Sequence, residues 1–167
     1  MDTSLADKKD MKFKQLDSLN QVADFHRLFK HPILKSPAIP NAKRCELRVV
    51  LLAEELDELK EAIKEKDMVE IADALCDIQY VLSGAVLEFG LADKFPSLFN
   101  EVQRSNMSKA CQTIEEAEAT VAHYQEKGFP CHFEKDGDKY MVYRDADKKT
   151  LKSINYSPAA IKELLEK

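Results

Sequence analysis

RVVLLAEELDELKEAIKEKDMVEIADALCDIQYVLSGAVLEFG, residues 48–90, decides how this chain folds, because it reads as two long helices joined by one short turn. The first helix is expected over Ala42–Glu65. Cys45, Val49, Leu52, Leu56, Leu59 and Ile63 recur at alternating spacings of four and three, which keeps one apolar stripe turned toward a partner helix. Glu55 lies beside that stripe, and Glu58 and Glu54 follow it within an arc of about 100°. Leu47, Val50 and Leu51 lie beyond those acids, so the carboxylates are flanked by apolar residues on both sides. Asn41 is the expected N-cap.

The second helix is bounded by Asp67 as N-cap, Glu70 as the partner of a capping box, and Gly90 as a left-handed stop. Ile71, Leu75, Ile78, Leu82 and Val86 cover one side. Asp73, Asp77, Tyr80 and Gly84 share the other, since spacings of three, four and seven return to one face. If the chain reverses near Lys66, Glu58 falls near residue 74 and Glu55 near residue 77. Four carboxylates then converge: Glu55, Glu58, Asp73 and Asp77. Like charges in a partly dry groove repel unless a cation neutralises them or some take up protons. Oxygen-only ligands point to Mg²⁺, with Mn²⁺ as the alternative, and away from Zn²⁺. Glu61 and Glu65 read instead as a solvated face, and Glu70 as part of the cap.

EELDEL followed after a turn by DALCDIQYVLSGAVLEFGL resembles the all-α nucleoside triphosphate pyrophosphatases, the group that holds MazG-like proteins, dimeric dUTPases and phosphoribosyl-ATP pyrophosphohydrolase. That family's pattern is EExxE and then ExxD. Glu54, Glu55 and Glu58 match its first part. Its second part fits in two registers: Glu70 with Asp73, or Asp77 with its following Tyr80 and Gly90, where Asp73 substitutes from one turn away. The pairing geometry selects Asp73 and Asp77. The resemblance implies a MazG-like bundle of four to five main helices, all-α apart from a small C-terminal hairpin.

The whole chain is compatible with that reading. Its 167 residues, 44% hydrophobic and 33% charged, suit one domain with a sizeable core. No apolar run approaches the roughly 18 residues of a membrane span, and the first residues carry charge without an apolar segment. Cys45, Cys76, Cys111 and Cys131 stand far apart with no CxxC spacing, the pattern of reduced, mostly buried thiols in a cytoplasmic protein. A net charge of −5 gives no basic footprint for nucleic acid.

Along the chain, residues 1–14 read as a poorly ordered N-terminus, residues 15–112 as the helical core, and residues 113–167 as a helix, hairpin and tail packed on it. Ser18 with Gln21 opens a first helix carrying Leu19, Val22, Phe25 and Phe29, with His26 near its apolar face as a satisfied or half-exposed histidine. Pro32, Pro37 and Pro40 make the next segment an extended loop suited to cover a base. Pro96 opens a fourth helix ending near Asn106. Its RSNMSK tail resembles a bacterial subgroup of phosphoribosyl-ATP pyrophosphohydrolase-like proteins in which this tail supplies phosphate-binding groups, which implies Asn106 and Lys109; a C-terminal lysine that complements the helix dipole is the plainer reading of Lys109. Thr113 and Glu116 cap a further helix to Gly128, Asp136-Gly137 marks a hairpin, and Ser157 with Pro158 starts a last short helix.

The acids predict a Mg²⁺-dependent site, and the resemblance implies a nucleotide pyrophosphohydrolase that converts a nucleoside triphosphate to the monophosphate and pyrophosphate. Metal falls to Glu55, Glu58, Asp73 and Asp77, the water-activating base to Glu54 or Glu55, and substrate contacts to Tyr80, Asn106 and Lys109. Hydrolysis of phosphoribosyl-ATP is the alternative with the same bond chemistry, and a non-catalytic helical interaction module the alternative of another class. The two-sided apolar coverage of the central helices, with the resemblance, implies a homodimer or tetramer.

Overall fold

The computed structural model describes residues 13–166. Within them lie six helices, α1 (Ser18–Phe29), α2 (Ala42–Glu65), α3 (Met68–Glu88), α4 (Phe95–Met107), α5 (Ile114–Glu126) and α6 (Ile161–Glu166), and one antiparallel hairpin of β1 (Cys131–Asp136) and β2 (Lys139–Arg144). The fold is all-α with a small β appendage. The expectation for residues 1–12 lies outside the described residues. Among those residues no helix is long and apolar enough to cross a membrane. The chain divides into two compact units, one ending at Ala92 and one beginning at Asp93.

In the first unit, Asn41 Oδ1 accepts from the Arg44 N–H at 3.1 Å and starts α2. Lys66 ends it in the left-handed conformation (φ 60°), and Asp67 Oδ1 immediately accepts from the N–H groups of Val69 and Glu70. Two residues thus reverse the chain, as the spacing predicts. The box with Glu70 does not close, because the Asp67 N–H donates to the Ala62 carbonyl instead. Gly90 takes the left-handed conformation expected of it (φ 67°), and a Cβ there would lie 1.9 Å from the Ser36 carbonyl oxygen. That closeness exists because the proline-rich loop is bonded along the end of α3, with Leu34 N–H donating to Leu87 O and Ala38 N–H to Phe89 O. Val22 and Ala23 of α1 pack with Leu87, closed by Ile33 and Ala92. Asp17 rather than Ser18 stands at the start of α1, and the Ser18 hydroxyl accepts from Gln79.

The stripe expected to face α3 is only partly inward. Val49, Leu56 and Ile63 are 68%, 47% and 56% exposed, while Arg48 and Ala62 are buried and Glu55 is half-buried. The seam is turned because Ala62 and Ala74, both buried, are small enough to let the helices approach near the turn, and because Arg48 is drawn inward at the far end by Glu88.

The second unit has its own core of Cys111, Ala117, Cys131, Val142 and Leu151, with Val121, Tyr124, Phe133 and Tyr140 packed on it. Thr113 Oγ1 accepts from the Glu116 N–H, so α5 starts where expected, and the Glu116 carboxylate accepts from the Gln112 N–H and the Ser153 hydroxyl. Gly137 turns the hairpin with φ 60°, the sign required at the first position of a two-residue type II′ loop. Cys111 bridges to Tyr140, which ties the segment before α5 to the hairpin. The last helix starts at Ile161, three residues after Pro158. All four cysteines are free, as the spacing predicts, but Cys76 is exposed and Cys45 only half-buried.

Candidate active site on the α2 and α3 helices

Glu54, Glu55 and Glu58 stand on consecutive turns of α2, and Asp73 and Asp77 one turn apart on α3. Glu55 is half-buried and the other four are exposed. Its carboxyl is pushed above the usual range first by burial and then by the charges of Glu58, Asp77, Glu54 and Asp73, in that order. The reversal at Lys66 has thus brought acids of both helices into one field centred on Glu55. Glu70 is exposed in the first turn of α3. Among the described residues no three acidic, histidine or cysteine side chains are close enough together to hold a metal ion, so the carboxylates share a groove without being clenched.

Tyr80, one turn beyond Asp77, is 39% exposed and meets the ring of Phe25 edge-on at 5.6 Å. Phe25 in turn contacts Phe29 at 4.4 Å and stacks on His31 at 5.8 Å. An open aromatic face therefore adjoins the acids. The sequence reading placed Tyr80 there and put Phe25 and Phe29 only on the apolar face of the first helix.

The larger omission lies along the same seam toward the far end of α3. Glu88 is fully buried and accepts from Arg44 Nε at 3.0 Å, from Arg44 Nη2 and from Arg48 Nη2. Burial alone pushes its carboxyl up, but the hydrogen bonds from Arg44 and Arg48 outweigh that and hold it below the usual range. His26, buried rather than half-exposed, keeps its pKa low chiefly through burial; its Nδ1 lies 2.9 Å from the Pro32 carbonyl. A glutamate near the end of an otherwise apolar turn, AVLEFG, with arginines at spacing four on α2, was the available signal.

Asn106 and Lys109 belong to the second unit, where Lys109 Nζ donates to Asn106 Oδ1 at 2.9 Å. Nearby in that unit the Tyr156 phenol is held below its ordinary pKa first by the hydrogen bond with Ser105 and then by Lys152, Lys109 and Arg104.

A family model for phosphoribosyl-ATP pyrophosphohydrolase matches residues 22–106, just over half of the chain, and so takes in α2, α3 and nearly all of α4. The chain belongs to the phosphoribosyl-ATP pyrophosphohydrolase family. This family is part of the MazG-like all-α superfamily, its activity is pyrophosphohydrolysis of a nucleotide, and its members are typically dependent on a divalent metal. All five acids lie inside the matched span, as does Asn106; Lys109 lies just beyond it. The chain is also similar to an uncharacterized protein of Acanthamoeba polyphaga mimivirus, 24% identical over 87% of this chain and 94% of the relative.

Proposed function

We propose that the chain is a Mg²⁺-dependent hydrolase that converts a nucleoside triphosphate and water to the monophosphate and pyrophosphate. The observation that carries this reading is the set of five acids on α2 and α3, Glu54, Glu55, Glu58, Asp73 and Asp77, among which the Glu55 carboxyl is pushed up first by burial and then by the other four charges, a repulsion that a divalent cation relieves. The donor set fits a hard cation, being carboxylate oxygen throughout. Glu55, Glu58, Asp73 and Asp77 are the holding groups; a bound Mg²⁺ supplies charge neutralisation for the polyphosphate and acidifies water. Glu54, which is not among the holding groups, or Glu55 would accept the proton of the attacking water. The α-phosphorus to oxygen bond breaks as the water oxygen bonds to that phosphorus, and pyrophosphate leaves. The open face of Tyr80 and Phe25 suits a nucleobase.

The exposed Val49, Leu56 and Ile63, spaced by sevens on α2, support a homo-oligomer in which a second copy covers that edge. Phosphoribosyl-ATP is a second substrate reading, favoured by the description of the matching family. The test is pyrophosphate release from a panel of nucleoside triphosphates and phosphoribosyl-ATP, with Mg²⁺ or with chelator. Metal-dependent release that Asp77→Asn abolishes, with the variant as stable as the parent or more so, is the expected result. Absence of release from every nucleotide with either Mg²⁺ or Mn²⁺ refutes the reading.

A further inference from the structure

The buried ion cluster holds one cation too many. Arg44 alone gives Glu88 two hydrogen bonds and a full counter-charge, so Arg48, which also donates to Glu88, is in excess of the charge balance. His26 adds nothing to the balance. The Pro32 carbonyl only accepts, so Nδ1 carries the ring proton, and Nε2 offers a lone pair to Arg48 Nη2 at 3.4 Å. Two guanidinium groups thus share one carboxylate beside a neutral imidazole. Arg48 is 7% exposed, and its Nε is buried with no acceptor among the described residues. Its Nη1 faces Gly84, where a Cβ would stand 2.7 Å away, so the absence of a side chain is what admits the guanidinium. A surplus buried charge is costly unless an anion completes it.

Position says which anion. Gly84 shares a face of α3 with Asp73, Asp77 and Tyr80, seven residues beyond Asp77, and Arg48 precedes Glu55 by seven residues on α2. At 1.5 Å per residue both helices set the guanidinium about 10 Å along the groove from the acids. We propose that Arg48 is an anion subsite of the nucleotide site, with Nη1 above Gly84 taking a phosphoryl group remote from the bond that is cleaved. The inference rests on the reading of the acids as that site. The phosphoryl group comes either from the far end of the same polyphosphate chain or from a second phosphate elsewhere on the substrate.

The first arm needs no turnover. Thermal unfolding of the full chain is followed in chelator, so that the metal-free acids repel anions, with inorganic phosphate compared against chloride at equal ionic strength. Phosphate is expected to raise the melting temperature of the parent more than chloride does. Arg48→Gln loses that phosphate-specific increment while Arg44 still neutralises Glu88, and Gly84→Ala, which crowds Nη1, loses it too and serves if the first variant fails to fold. An equal increment in a folded Arg48→Gln, or none in the parent, overturns the proposal. In the second arm KM is measured with Mg²⁺. A rise of about tenfold or more in Arg48→Gln for both ATP and phosphoribosyl-ATP assigns the group to the chain end, and a rise for phosphoribosyl-ATP alone assigns it to the second phosphate. An unchanged KM for both overturns it. If no nucleotide is hydrolysed the reading of the acids fails, while the phosphate arm still judges Arg48.

Discussion

Replacing Glu88 by alanine should be among the most damaging single changes in the first unit. The carboxylate has no solvent exposure and accepts from two arginines, so its removal strands positive charge in a dry place. Removing one partner of a buried ion pair costs about 3–5 kcal/mol. The Arg44 side chain is 25% exposed and regains water, whereas that of Arg48 is 9% exposed and does not, which sets the electrostatic part near the lower end, about 3 kcal/mol. The lost methylene packing adds about 1 kcal/mol. Glu88 lies in the first unit, which ends at Ala92, and for a cooperative unit of under about 100 residues each kcal/mol lowers the melting temperature by about 4–8 °C, so the expected fall of that unit's transition is about 16–32 °C. Circular dichroism at pH 7 measures it. The variant should also lose an acid limb. With the Glu88 pKa below its ordinary 4.5, its stabilisation is present above 4.5 and disappears as the pH falls through the folded value. A fall under about 3 °C at pH 7 would refute the claim that Glu88 balances the arginines.

Asp73→Ala should cut pyrophosphate release by about 100-fold or more, given that even outer-shell partners of a metal are worth 10–100-fold. Glu70→Ala, whose side chain closes no capping bond, should leave turnover intact and cost at most about 0.5 kcal/mol through the helix dipole; the opposite pattern assigns the metal to the other register. His132 is held above its ordinary value of 6.5 first by Asp145 and then by Glu134, so its contribution is complete below 6.5 and is lost as the pH rises through the folded value; Asp145→Asn should lower the His132 pKa read by NMR, and an unchanged titration rejects the pairing. Leu56→Glu should convert an oligomer into a 19.0 kDa monomer by light scattering, and a parent already monomeric at low micromolar concentration removes the need for a second copy.

Helix ends were legible wherever a single residue type sets the backbone. Asn41, Asp67, Gly90 and Thr113 act locally, and the structure places each at the boundary its chemistry predicts. Which face of α2 turns inward was less legible, because periodicity ranks residues by polarity and cannot see a buried pair completed from forty residues away. Nothing on α2 itself marks Arg48 as buried; Glu88, forty residues on, supplies its partner. Reciprocal capping by Glu70 also failed for a tertiary reason, since the tight reversal gives the Asp67 N–H to Ala62. The expected convergence of acids came from counting outward from one turn; in the structure Glu58, Asp77, Glu54 and Asp73 add to burial in pushing the Glu55 carboxyl up, while no three acids among the described residues lie close enough to hold a metal ion.

Each unit closes its own core: Val22, Ala23 and Leu87 lie wholly in the first, and Cys111, Ala117, Cys131, Val142 and Leu151 wholly in the second. Hydrogen exchange should therefore sort the slowest amides into two tiers rather than one, with the interior of α3 in one and that of β2 in the other. Glu88→Ala should lower protection in the first tier and leave the second unchanged, and a cavity at Val142 should do the reverse. A single melting temperature then averages two cooperative events, and the damage from any substitution is read correctly only on the tier that owns the residue.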